Sequence, residues 1–178
     1  DVGANAWNTP AGINPFLRHE FLSNLESSGC VCAETGWEPR HILIWRGASL
    51  VGAMPLYLKH HSYGEYIFDW AWADAYHRHG LNYYPKLSSA IPFTPVSGAR
   101  LLSDDASICA MLTSAALTLA KETQVSSLHI LYPTGIQAES LKSAGFMLRN
   151  STQFHWHNRS YDTFDTFLAE MSHDKRKR

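Results

Sequence analysis

The chain reads as an α/β fold built on a mixed, mostly antiparallel twisted sheet flanked by helices. Three features predict it: apolar residues at helical spacing over 15–27, β-rich runs over 40–69, and alternating helix and strand patterns after residue 104. With 178 residues the chain is long enough for one full hydrophobic core, which should bury roughly 70% of the surface of the unfolded form.

The first helix is predicted over 15–27, where Phe16, Leu17, Phe21, Leu22 and Leu25 form a stripe. Asn14 is its N-cap, Pro15 sits at the first helical position and Gly29 lies beyond its end. Residues 40–45 and 50–61 read as strands around the turn Arg46-Gly47-Ala48-Ser49, and 65–69 as a third after Ser62-Tyr63-Gly64. Pro55 donates no N–H, so its strand needs an edge or a bulge there. A short helix over 70–79 is closed by Gly80, and 86–91 is a short strand between prolines. A long helix over 104–123 buries Ile108, Leu112, Ala115 and Leu119, with Ser103 or Asp104 as its cap. Then come a buried strand over 125–132, a helix over 135–144, a strand over 146–158, and a last helix from residue 163 capped by Asp162. The strands of 40–69 and the strand of 125–132 are expected in one sheet, with the long helix packed across it.

Fifteen Lys and Arg against sixteen Asp and Glu leave no global field to draw the chain toward nucleic acid or a membrane surface. No apolar run approaches the ~18 residues of a bilayer span. Cys30, Cys32 and Cys109 are odd in number and poorly spaced for a staple, which predicts reduced thiols and a cytoplasmic setting. The chain opens on Asp1 and closes on Lys175-Arg176-Lys177-Arg178, and we read both ends as cuts in a longer protein.

The densest polar and aromatic segment runs from Tyr63 to Tyr76. A strand over 64–69 would put Glu65 and Asp69 on one face, where neighbouring rings strip water from the carboxylates and raise their pKa toward general-base range. Tyr63 or Tyr76 would supply a proton to a leaving group. Trp70, Trp72, Asp74, Lys86 and Arg100 are candidate substrate contacts. The alternative makes Trp70 and Trp72 core residues and Asp69 a helix cap. His155 and His157 share a face of their predicted strand and read as substrate contacts, since a metal would need a third ligand. Glu65, Asp69, Trp70, Asp74, Tyr76 and His155 are expected along one cleft.

These residues carry a resemblance. Asn14-Pro15-Phe16-Leu17, Pro55-Leu56-Tyr57-Leu58-Lys59, the run Tyr63 to Tyr76, Tyr83-Tyr84-Pro85-Lys86-Leu87, Pro92-Phe93-Thr94-Pro95-Val96 and Phe154-His155-Trp156-His157-Asn158 resemble the FemAB-like family of peptidoglycan biosynthesis or recognition proteins. The family's domains resemble the GNAT acyltransferase fold. The resemblance implies a protein of two acyltransferase-like halves, with 1–160 as the first domain and 161–178 as a basic helix leading toward the second. It implies transfer of an acyl or aminoacyl group, from acyl-CoA or aminoacyl-tRNA, to an amine of a peptidoglycan precursor or similar acceptor. Glu65 or Asp69 would then be the base, and the basic C-terminal helix would contact tRNA or other phosphates. Acetyl-CoA is disfavoured, because its phosphate-binding Gly-rich turn is replaced by a segment that puts Asp104 and Asp105 on the first turn of the long helix. A peptide- or glycan-recognition module on the same fold, with Trp70, Trp72 and Tyr76 as stacking surfaces, is the rival reading.

Overall fold

A computed structural model describes residues 2–176. It divides into two compact units, Asp1–Met147 and Leu148–Arg178. The elements in chain order are α1 (Ala4–Ala11), α2 (His19–Ser27), β1 (Trp37–Pro39), β2 (Ile42–Arg46), β3 (Ser49–Met54), β4 (Tyr57–Lys59), α3 (Trp70–Arg78), β5 (Lys86–Ser89), α4 (Ala106–Glu122), β6 (Leu128–Ile130) and α5 (Gly135–Ser143). The second unit holds α6 (Phe164–Ala169) and α7 (His173–Arg176). Lys177 and Arg178, the end of the basic run, lie outside the described residues.

The first unit is α/β with a mixed sheet. Its four strands run in the order β1-β4-β5-β6, with only the β5–β6 pair parallel. The hairpin β2–β3 stands apart as its own two-stranded sheet, which corrects the expectation of one continuous meander. Pro55 explains the break. Lacking an N–H, it interrupts the ladder between Met54 and Tyr57, and the chain leaves one sheet for the other there. Only the last part of the expected second strand, β4, shares a sheet with β6.

Register divides the four-stranded sheet into two unlike faces, because residues directly opposite each other across a ladder point the same way. Leu58, Leu87 and Leu128 align across β4, β5 and β6 and pack with Ile108, Leu112 and Ala116 of α4. The other face carries Trp37, Tyr57, Lys59, Lys86, Ser88 and His129. One side is therefore an ordinary apolar core, and the other is polar and buried.

Several local expectations need correction. The first long helix begins only at His19; Asn14 instead closes a tight turn, its Oδ1 accepting from the Phe16 N–H. A helix at Ala4–Ala11, unmarked by a side-chain cap, precedes it. Asp105, not Ser103 or Asp104, caps α4, and the stripe buries Ala116 rather than Ala115. Residues 65–69 form turns and bends, and 146–158 carry no strand. In that second stretch Phe154 and Trp156 stay exposed, and among the described residues no neighbouring strand supplies a ladder. Thr163, with a reciprocal capping box to Thr166, starts α6 in place of Asp162.

At Gly52 of β3 a Cβ would stand 2.4 Å from Cγ2 of Ile108 on α4. The absence of a side chain sets how closely hairpin and helix approach. Gly52→Ala should cost about 1–3 kcal/mol by overpacking. Combined with Ile108→Ala, which removes the clashing methyl, the loss should be clearly less than the sum of the two single changes in urea unfolding.

Candidate functional site

The site grows from two lysines. Lys59 and Lys86 are direct cross-strand partners on the polar face, and both are fully buried. Like charges in that arrangement repel, and a buried ammonium needs carboxylate or hydrogen-bond partners. The loop between β4 and α3 provides them. Lys86 Nζ donates to Glu65 Oε2 at 2.8 Å, to Asp69 Oδ2 at 2.5 Å and to Ser62 Oγ at 3.1 Å. Ser62 in turn donates to Asp69 at 3.3 Å and shares a hydrogen bond with the Tyr84 hydroxyl at 2.8 Å. Lys59 Nζ lies 3.4 Å from the centroid of the Trp37 ring and donates to the Tyr63 carbonyl at 3.3 Å.

Electrostatics follow from this enclosure. Burial pushes Lys59 down to about 7, opposed by the pull of Glu65 and reinforced by Lys86. Burial also pushes the Glu65 carboxyl above the usual carboxylate range, against the stabilising charge and hydrogen bond of Lys86. The Tyr83 hydroxyl is raised by burial and then by Asp69. It shares a hydrogen bond with His129 at 3.3 Å, and His129 another with Ser127 at 2.8 Å.

The same loop and the first turn of α3 turn their aromatics outward. Ser62, Glu65 and Asp69 are buried, whereas Tyr63, Tyr66, Phe68, Trp70 and Trp72 are between 50% and 59% exposed. Phe68 and Trp70 stack with ring planes 13° apart, and Tyr63 meets Trp70 edge-on at 5.7 Å. Gly64 permits the turn. Its φ is +78°, and a Cβ there would fall 2.7 Å from the Phe93 ring.

Glu65 and Asp69 thus converge, but on Lys86 rather than along a strand face. Trp70 and Trp72 are surface residues, not core, and the Asp69 side chain makes no cap to α3. Asp74 lies exposed on α3 in an ion pair with Arg78 at 2.9 Å, and Tyr76 packs edge-on against Tyr83 at 5.2 Å. Arg100 is fully buried. His155 and His157 belong to the second unit, their rings 6.4 Å apart beside a concavity of about 390 Å³ bordered also by Trp156, Arg159 and Tyr161. The expectation of one cleft rested on a strand through His155, and that strand does not form. Lys59, Ser62 and Tyr83 escaped the sequence reading; the signal was that Tyr57-Leu58-Lys59 places a lysine in phase with a buried ring. Among the described residues no group of three His, Cys, Asp or Glu is placed to hold a metal ion, and no helix is long and apolar enough to cross a membrane.

A profile of the FemAB-like family, described as peptidoglycan biosynthesis/recognition, matches residues 1–178. The chain belongs to this family. No curated protein and no solved structure matches it. Family membership assigns this FemAB-like chain to peptidoglycan biosynthesis or recognition.

Two predictions follow from the cluster. Lys86→Met leaves two buried carboxylates without their cation and should cost about 3–5 kcal/mol in denaturant unfolding. Lys59 has a folded pKa of about 7 against 10.5 in its reference state. Between those values the unfolded chain holds the proton that the folded chain has lost, so its contribution to stability rises with pH. The stability of Lys59→Met relative to wild type should therefore fall as pH goes from 7 toward 10; a constant difference would contradict the assignment.

Proposed function

We propose that this FemAB-like chain binds the glycan of a peptidoglycan component on the aromatic surface of residues 63–72. The observation that carries the reading is the division of the loop before α3 and that helix's first turn: five half-exposed rings outside, and two carboxylates fixed to a buried lysine inside. A cluster of half-exposed rings held from behind offers an apolar contact surface at little cost in side-chain entropy. The near-parallel Phe68 and Trp70 suit the flat faces of sugar rings, and the Asp74–Arg78 pair supplies polar partners at the rim. The family's description, which joins biosynthesis to recognition, supports the same ligand class.

Acyl or aminoacyl transfer to an amine of such a ligand is the second reading, and one observation favours it. Glu65 is raised by burial and its Oε1 has no hydrogen-bond partner among the described residues, so this oxygen can take up a proton. The loop would have to open for Glu65 to meet an amine. Aminoacyl-tRNA or an acyl-CoA would be the donor, and Lys175 and Arg176 of α7 would meet tRNA phosphates. Acetyl-CoA suits the chain poorly, because the first turn of α4 is already capped, with Asp105 accepting from the Ser107 N–H at 2.8 Å.

Titration with a soluble peptidoglycan disaccharide should quench tryptophan fluorescence saturably. Trp70→Ala and Trp72→Ala should each weaken binding about tenfold, the loss typical of a hot-spot ring, with little change in melting temperature. Binding of the stem peptide alone, with none of the disaccharide, would overturn the glycan reading. Calorimetry with acetyl-CoA should give no low-micromolar binding, and such binding lost in Arg100→Ala would contradict the donor argument.

A further inference from the structure

Among the described residues, five buried side-chain atoms have no hydrogen-bond partner: Trp37 Nε1, Tyr57 OH, Glu65 Oε1, Ser88 Oγ and Arg100 Nε. They gather in one region. Trp37, Tyr57 and Ser88 lie on the polar face by register, and Glu65 is bound to Lys86 of that face. Arg100 interacts electrostatically with Tyr57 and Tyr132, and Tyr132 with Glu65. A buried polar atom left unpaired costs about 1–3 kcal/mol, so such a concentration calls for a physical account.

Backbone strain borders the same region. Tyr66, Phe93 and Tyr132 hold φ of 58°, 57° and 54°, in the left-handed region that bulky residues avoid. They belong to one connected set of loops: Tyr132 donates its hydroxyl to the Tyr66 carbonyl at 3.3 Å, and Phe93 N–H donates to Gly64 at 3.1 Å. Strain of this kind gathers at binding sites.

Four of the five unpaired atoms, all but Glu65 Oε1, can donate, and their chemistry selects the ligand. The indole of Trp37 and the guanidinium of Arg100 can only donate, and the hydroxyls of Tyr57 and Ser88 can donate as well. Arg100 uses its head group only on the carbonyls of Val96 at 2.7 Å and Ala99 at 3.0 Å, and among the described residues it has no carboxylate partner. Glu65 and Asp69 are both taken by Lys86, so the positive charge of Arg100 is left unmatched. Glu26, which also acts on Tyr57, is taken by His41 at 2.9 Å. A group with one negative charge and two acceptor oxygens meets both requirements, whereas a phosphate brings more charge than is left unmatched. Half-buried Gly98 marks the approach. Only Asn14 Nδ2 at 3.0 Å and Arg100 Nη1 at 3.4 Å lie within 4 Å of where its Cβ would be.

We propose that the polar face of the four-stranded sheet binds a carboxylate, received by Arg100, Tyr57, Ser88 and the Trp37 indole and reached past Gly98. Isotope-labelled protein titrated with sodium acetate should give saturable shifts of the Trp37 indole and Arg100 Nε–H signals in the millimolar range. Sodium chloride at equal ionic strength should give none, and inorganic phosphate should bind at least roughly tenfold more weakly, about 1.4 kcal/mol. Tyr57→Phe removes one unpaired oxygen and keeps the ring. Gly98→Ala narrows the approach at a residue whose φ is not left-handed. Each should weaken acetate binding roughly tenfold without lowering the melting temperature. Absence of a saturable acetate shift, unchanged affinity in both variants, or tighter binding of phosphate would each overturn the proposal. The glycan titration depends on Trp70 and Trp72 instead, so either reading can fail without the other.

Discussion

Two lysines directly opposite each other inside a sheet are unfavourable unless opposite charge is brought to them, and in this chain that requirement governs everything between β4 and α3. Lys59 and Lys86 occupy adjacent positions on the polar face, where neither reaches water. The loop answers by turning Ser62, Glu65 and Asp69 inward. Once those three positions point in, Ile67 packs against the core cluster that includes Trp37 and the larger rings between them turn outward. Tyr63, Tyr66 and Phe68 are exposed because the charge cluster leaves them no other direction.

This dependence joins packing to function. Such a cluster is a weak source of net stability, since desolvation of four charges offsets much of their attraction, but removing one partner exposes the full penalty of the others. Its effect is to fix a geometry. The apolar face, carried by Leu58, Leu87 and Leu128 against α4, supplies the ordinary burial that folds the unit. The polar face holds the loop, and the loop holds the rings.

Much of the fold was legible, and for definite reasons. The α3, α4 and α5 helices announce themselves through periodicity, with Gly80 just past the end of α3, and the short β5 lies between prolines; the cap of α4 falls one or two residues later than expected. What failed depended on distant partners. Residues 65–69 alternate like a strand, yet the pull of Lys86, some twenty positions away, bends them into a loop. Residues 146–158 have strand-like composition but no ladder among the described residues. Glu65 and Asp69 stood out as a pair of carboxylates among rings. That their partner is a buried Lys86, and that Lys59 stands beside it, depends on a cross-strand register that periodicity does not reveal.

The central claim is that the ion cluster holds the 62–69 loop in the conformation that presents the rings. Hydrogen–deuterium exchange on Lys86→Met, under conditions where the variant stays folded, tests it most directly. Amides of 62–69 and of the first turn of α3 should exchange much faster than in wild type, while those of α4 keep their protection. Unchanged exchange in 62–69, or acceleration spread evenly through α4, would contradict the account.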